Sequence, residues 1–173
     1  MNQKGPRLGE PASLWRMRAV PVITVLVASA LPLMLPLVAS SPVLPPLGLL
    51  FFLCWQLLRT EMWPVWIGIP LGLFDDLFSG APIGTAVFLW TAASIAIAYV
   101  SQRIYWRGFF HDWAIGALLV AIIQAVAALI THPDAHTGRV LGLALPQIIV
   151  SILLLPLFLR LTGKFDNFRL KRR

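Results

Sequence analysis

The chain reads as long apolar runs separated by short polar turns. Six runs stand out: Ala19 to Val38, Val43 to Leu58, Trp63 to Phe78, Ile83 to Val100, Trp113 to Ile130 and Val140 to Leu161. Apolar residues fill these runs instead of recurring with the spacing of an amphipathic helix or a half-buried strand. A membrane-spanning helix needs about 20 such residues, so each run predicts one. The second and third are short for the task, and either borrow flanking residues or lie where the bilayer is thinned. The expected fold is an all-α integral membrane protein of about six transmembrane helices.

Composition agrees, since only 12% of the 173 residues are charged and 58% are apolar, against about 25% charged in a soluble domain. A water-soluble globule is excluded. The 14 Lys and Arg outnumber the 7 Asp and Glu, but no polar stretch is long enough to read a groove or stack bases, so no nucleic-acid partner is expected. The placement of the charge points instead to topology. Lys4, Arg7, Arg16 and Arg18 precede the first run, Arg59 follows the second, and Arg103 and Arg107 follow the fourth. Arg160, Lys164, Arg169, Lys171, Arg172 and Arg173 close the chain. All fall on one side of a six-span arrangement, and only Arg139 falls on the other. Cytoplasmic loops collect Lys and Arg, so both termini are expected in the cytoplasm, with anionic membrane lipid as a neighbour. Trp15, Trp63, Tyr105, Trp106 and Trp113 lie at the same predicted ends, where amphipathic rings settle at headgroup depth.

This pattern divides the chain into a cytoplasmic N-terminal tail expected to be disordered (1–18), a six-helix membrane domain (19–162) and a basic cytoplasmic tail (163–173). The triplet Ala28-Ser29-Ala30 imitates a signal-cleavage site, but the apolar run continues through Met34-Leu35, which favours an uncleaved first span.

Candidate chemistry is sparse. The lone Cys54 excludes an intrachain disulfide and a cysteine-based zinc site. His132, Asp134 and His136 suit a metal by type, yet no fourth ligand is evident, and a polar turn between two helices is the simpler reading. Gln56, Gln124 and Gln147 are expected to bridge helices by hydrogen bonds, and Ala92, Ala93, Ala96 and Ala121, Ala125, Ala128 to form packing stripes. No catalytic set and no cofactor site is expected.

The third run is the informative one. Gly68, Gly72, Asp76 and Gly80 recur every four residues and so share one helix face. Glycines at this spacing let another helix backbone approach closely. Pro70 is expected to kink the helix, and Ser79-Gly80-Ala81-Pro82 to end it. Counted from Trp63, Asp76 lies about 20 Å along a helix, in the outer part of the membrane. Asp75, turned about 100° away, should point elsewhere, with water as one destination. Three roles fit the pair: a catalytic or metal-binding pair, an ion site of a transporter, or a structural turn that fixes the third and fourth runs and shapes a partner-binding surface.

The run Gly72-Leu73-Phe74-Asp75-Asp76-Leu77-Phe78-Ser79-Gly80-Ala81-Pro82-Ile83-Gly84 resembles the signature of the rod shape-determining protein MreD family, in which a Gly-Leu pair, an aspartate and two further glycines recur at these spacings. By that resemblance Asp76 is the family aspartate. Together with Gly68, which the four-residue spacing adds, Gly72, Asp76, Gly80, Pro82 and Gly84 are expected to form a helix-packing or partner-binding motif. The resemblance implies a multi-pass protein of the bacterial inner membrane, a non-catalytic scaffold of the elongation machinery that maintains rod shape and lateral peptidoglycan synthesis. Its implied partners are a bitopic MreC-like protein and, directly or indirectly, an MreB-like actin homologue and the elongation-complex cell-wall synthases. The family's fold is similar to that of the substrate-binding subunits of energy-coupling-factor transporters, which makes a vitamin-type transport subunit the alternative.

Overall fold

The computed structural model describes residues 14–34, 44–103 and 108–170. The tail before Leu14, the end of the first run, Tyr105, Trp106, Arg107 and the last three basic residues lie outside the described residues. Among the described residues six α-helices follow in order: α1 (Leu14–Met34), α2 (Leu47–Leu58), α3 (Gly68–Ser79), α4 (Thr85–Arg103), α5 (Phe109–Thr131) and α6 (Thr137–Leu170), with a 3-10 turn at Val65–Ile67 before α3. No strand occurs among the described residues. Among the described residues three helices, α4, α5 and α6, are long and apolar enough to cross a membrane, and α1 and α2 hold shorter apolar stretches.

The two short runs become short helices. With 12 residues each, α2 and α3 extend about 18 Å, well below the ~30 Å hydrocarbon thickness. Helix α2 needs no lipid contact to explain its composition, because nine of its residues, Gly48 to Leu50 and Phe52 to Leu57, are buried inside the protein. It is the hub of the fold, packed against α1, α4, α5 and α6. A helix that is apolar all round is a buried one.

Aromatic packing and a few polar bridges hold this hub. Phe52 stacks on Trp90 of α4 at 4.6 Å and on Trp63 at 6.0 Å. Trp63 is therefore a core residue, 7% exposed, and not the headgroup anchor that its place in the chain suggested. Trp55 donates its indole N–H to Thr24 of α1 at 2.9 Å. The three glutamines bridge as expected: Gln56 donates to Ser94 on α4, Gln124 to Ser151 on α6, and Gln147 to the Leu44 carbonyl ahead of α2.

The alanine stripe of α5 is only half-buried, and its buried face is instead Gly116, Val120, Ile123 and Gln124. Ala92 on α4 is exposed, while Ala93 is buried. Helix α1 runs straight through Ala28-Ser29-Ala30, with Ala28 and Ser29 buried.

Helix α6 is longer than its apolar run. Its 34 residues extend about 51 Å, and it continues through Gly163 across the expected boundary of the basic tail. The extension is tied back at Asp166, which accepts from Nε and Nη2 of Arg59 at 3.1 and 2.9 Å. The α2–α3 link and the end of α6 thus share one end of the bundle. The start of α2, the α3–α4 turn and the α5–α6 loop line a common cavity and so share the other.

Candidate functional site: the α3–α4 hairpin

Helix α3 starts later than its apolar run. Residues 63–67 form a turn and the 3-10 segment, so Asp76 lies about 12 Å from the start of α3. Pro70 falls in the first turn, where its missing N–H breaks no ladder bond, so the kink expected there is not required. The helix ends at Gly80, which adopts a left-handed conformation at φ 69°, a position that glycine fills without the clash a Cβ would make.

Gly68 and Gly72 lie directly against the backbone of α4. A Cβ on Gly68 would come within 2.6 Å of the Thr91 nitrogen, and one on Gly72 within 2.7 Å of both the Ala86 carbonyl oxygen and the Val87 nitrogen. The glycine face is occupied by the chain's own next helix. One turn along, Asp76 is 3% exposed and reaches the same peptide unit.

The Asp76 carboxylate completes the N-terminus of α4. The first turn of any helix has N–H groups without intrahelical acceptors, normally met in part by a side chain at the N-cap. Here that position is Gly84, at φ 102° and with no side chain to offer. Asp76 takes over from across the turn: its Oδ2 accepts from Gly84 N–H at 2.8 Å and Val87 N–H at 3.3 Å, and its Oδ1 from Ala86 N–H at 2.8 Å. The remaining donor, Thr85 N–H, is met by the Pro82 carbonyl at 3.1 Å, which also accepts from the Thr85 hydroxyl at 2.7 Å. Phe88 N–H to the Gly84 carbonyl then starts the helix ladder. A negative charge is further stabilised here by the α4 macrodipole.

The residues of the motif therefore converge on one junction. Gly68 and Gly72 set the distance between α3 and α4, Asp76 caps α4, Gly80 ends α3, Pro82 supplies the turn acceptor and Gly84 turns the chain into α4. Asp75 does not share this face. It lies over Gly48 at the α1–α2 contact, where a Cβ on Gly48 would come within 2.9 Å of Asp75 Oδ1 and would overlap the Ser29 hydroxyl.

Two glycine contacts escaped the reading of the sequence. Gly48 admits Asp75 and Ser29, and Gly116 admits Leu155 of α6 and Leu57 of α2. The available signal was a single glycine inside an otherwise apolar run. Elsewhere, Cys54 is buried, and His132, Asp134 and His136 are exposed. Among the described residues no group of three or more His, Cys, Asp or Glu could hold a metal ion.

No curated protein and no solved structure matches the chain. The sequence does match the family model of the rod shape-determining protein MreD over residues 16–165, a span that includes all of α2 to α5 and the whole α3–α4 junction. On that match the chain belongs to the MreD family of rod shape-determining membrane proteins.

Proposed function

We propose that the protein is a non-catalytic scaffold of the bacterial cell-elongation machinery, a six-span inner-membrane protein with both termini in the cytoplasm. It maintains rod shape and lateral peptidoglycan synthesis by binding the spanning helix of an MreC-like partner, and through it meets an MreB-like actin homologue and the cell-wall synthases. One observation carries this reading beyond the family match: Asp76, the family aspartate, spends its carboxylate on capping α4 and leaves a rigid hairpin. A reacting or ion-carrying carboxylate needs a free oxygen lone pair directed at its substrate, whereas this one directs both oxygens at backbone. The vitamin-transport alternative gains no support from the family match.

The hairpin offers an outer face as well. Trp66, in the 3-10 segment, and Ile69, Leu73 and Leu77 of α3 are 60%, 47%, 45% and 64% exposed and follow one another at near-helical spacing, about 100° round the helix from the glycine face. This face is the proposed seat of the partner helix. Co-purification of the full-length protein with an MreC-like partner tests it. Leu73→Ala with Leu77→Ala leaves the core untouched and should reduce recovery of the partner, and Gly72→Leu should reduce it by distorting the hairpin. Undiminished recovery with both variants, together with normal rod shape in cells carrying them, would refute the reading.

A further inference from the structure

The end of the bundle that holds the α3–α4 turn encloses a cavity of about 550 Å³, a volume within the usual range of ligand pockets. Its walls include Leu89, Trp90 and Ile123, and two polar side chains with acceptor oxygens line it from different helices. Asp75 on α3 is the first. Its carboxylate forms no ion pair among the described residues, and the buried Ser29 hydroxyl beside it is a neutral neighbour that leaves the charge uncompensated. Gln124 on α5 is the second. It is 7% exposed; its Nε2 is engaged with Ser151, while its Oε1 has no donor.

The two deficits have the same sign. Gln124 lacks a hydrogen-bond donor at Oε1, and Asp75 lacks a positive charge, in surroundings where an uncompensated carboxylate is costly. Asp76 lines the same cavity but is already met by three backbone N–H groups. A ligand that answers both deficits carries several N–H donors and a positive charge at one end, with an apolar body against the aromatic and aliphatic wall. Arg139 also lines the cavity and is exposed, which suits an anionic group beyond the cationic one.

We propose that this cavity binds a primary ammonium borne on an apolar body, with Asp75 as the charge partner and Gln124 as a second acceptor. Both an aminophospholipid headgroup and a free alkylamine have this chemistry. Such a site is separate from the outer face of α3 and from partner binding there.

The test uses the purified full-length protein in detergent. Thermal unfolding is followed with hexylamine and with hexanol, which differ in the ammonium alone, and native mass spectrometry follows retention of phosphatidylethanolamine against phosphatidylglycerol. Stabilisation by the amine and not the alcohol, or preferential retention of phosphatidylethanolamine, supports the site. The first alone identifies a free-amine site, and the second alone a lipid headgroup held also through its phosphate. Asp75→Asn, nearly isosteric, should weaken the selective ligand by about tenfold or more. Equal effects of amine and alcohol combined with no lipid preference would overturn the proposal using the wild-type protein alone, and so would full selectivity in a folded Asp75→Asn protein.

Discussion

Replacing Asp76 by asparagine tests the capping geometry most directly, because it keeps the shape and removes one acceptor and the charge. The carboxylate accepts three N–H bonds, two at Oδ2 and one at Oδ1. An amide has one acceptor oxygen, and its NH₂ faces backbone donors in either orientation. With the oxygen in the Oδ2 position, Gly84 and Val87 stay satisfied while Ala86 N–H confronts another donor; the reverse orientation strands two donors. The better choice leaves one buried N–H unmet, which costs about 1–3 kcal/mol. Loss of the charge at the α4 N-terminus adds about 0.3–1 kcal/mol, with more where the site is partly buried. Asp76→Asn should therefore lower stability by about 1–4 kcal/mol. Denaturant titration in mixed micelles measures the loss, and hydrogen exchange locates it: protection should fall first at Ala86 and its neighbours in the first turn of α4. A loss below about 0.5 kcal/mol, the range of an indifferent surface substitution, with unchanged exchange at Gly84, Ala86 and Val87, would refute the cap.

Two further predictions follow from contact geometry. Gly72→Ala meets backbone atoms of α4 that cannot yield without moving the helix, so it should cost about 1–3 kcal/mol and weaken the Asp76 cap as well; Gly116→Ala meets the ends of the Leu155 and Leu57 side chains and should cost less in the same titration. Arg59→Met with Asp166→Asn, measured singly and together, should give a coupling of about 1–2 kcal/mol, between that of an exposed and a buried pair, because the Arg59 side chain is half exposed and that of Asp166 only 7%; additive single effects would show the pair to be indifferent.

Much of the hairpin was legible before any coordinates. The four-residue spacing of Gly68, Gly72, Asp76 and Gly80 follows from helix periodicity, and Ser79-Gly80-Ala81-Pro82 marks a helix end by its own conformational limits. The hydrogen-bond partners of Asp76 were not legible, because they are backbone groups and carry no residue signature. Trp63 shows the opposite failure. Its position beside a basic link argued for the headgroup layer, but the short α2 lets the chain fold back and bring the ring onto Phe52.

The sequence by itself determined the solvent, the helical class and the position of the critical turn, since each depends on local composition and period. Only the tertiary structure decided what the short helices do. A 12-residue apolar helix is equally consistent with a thinned membrane and with burial in protein, and α2 is buried because four other helices, α1, α4, α5 and α6, supply the contacts that lipid would otherwise make. The roles of the two aspartates were likewise decided there. They are neighbours in the chain, but one helix step of 100° sends Asp76 to the open N-terminus of α4 and Asp75 to the cavity side, where no backbone donor meets it.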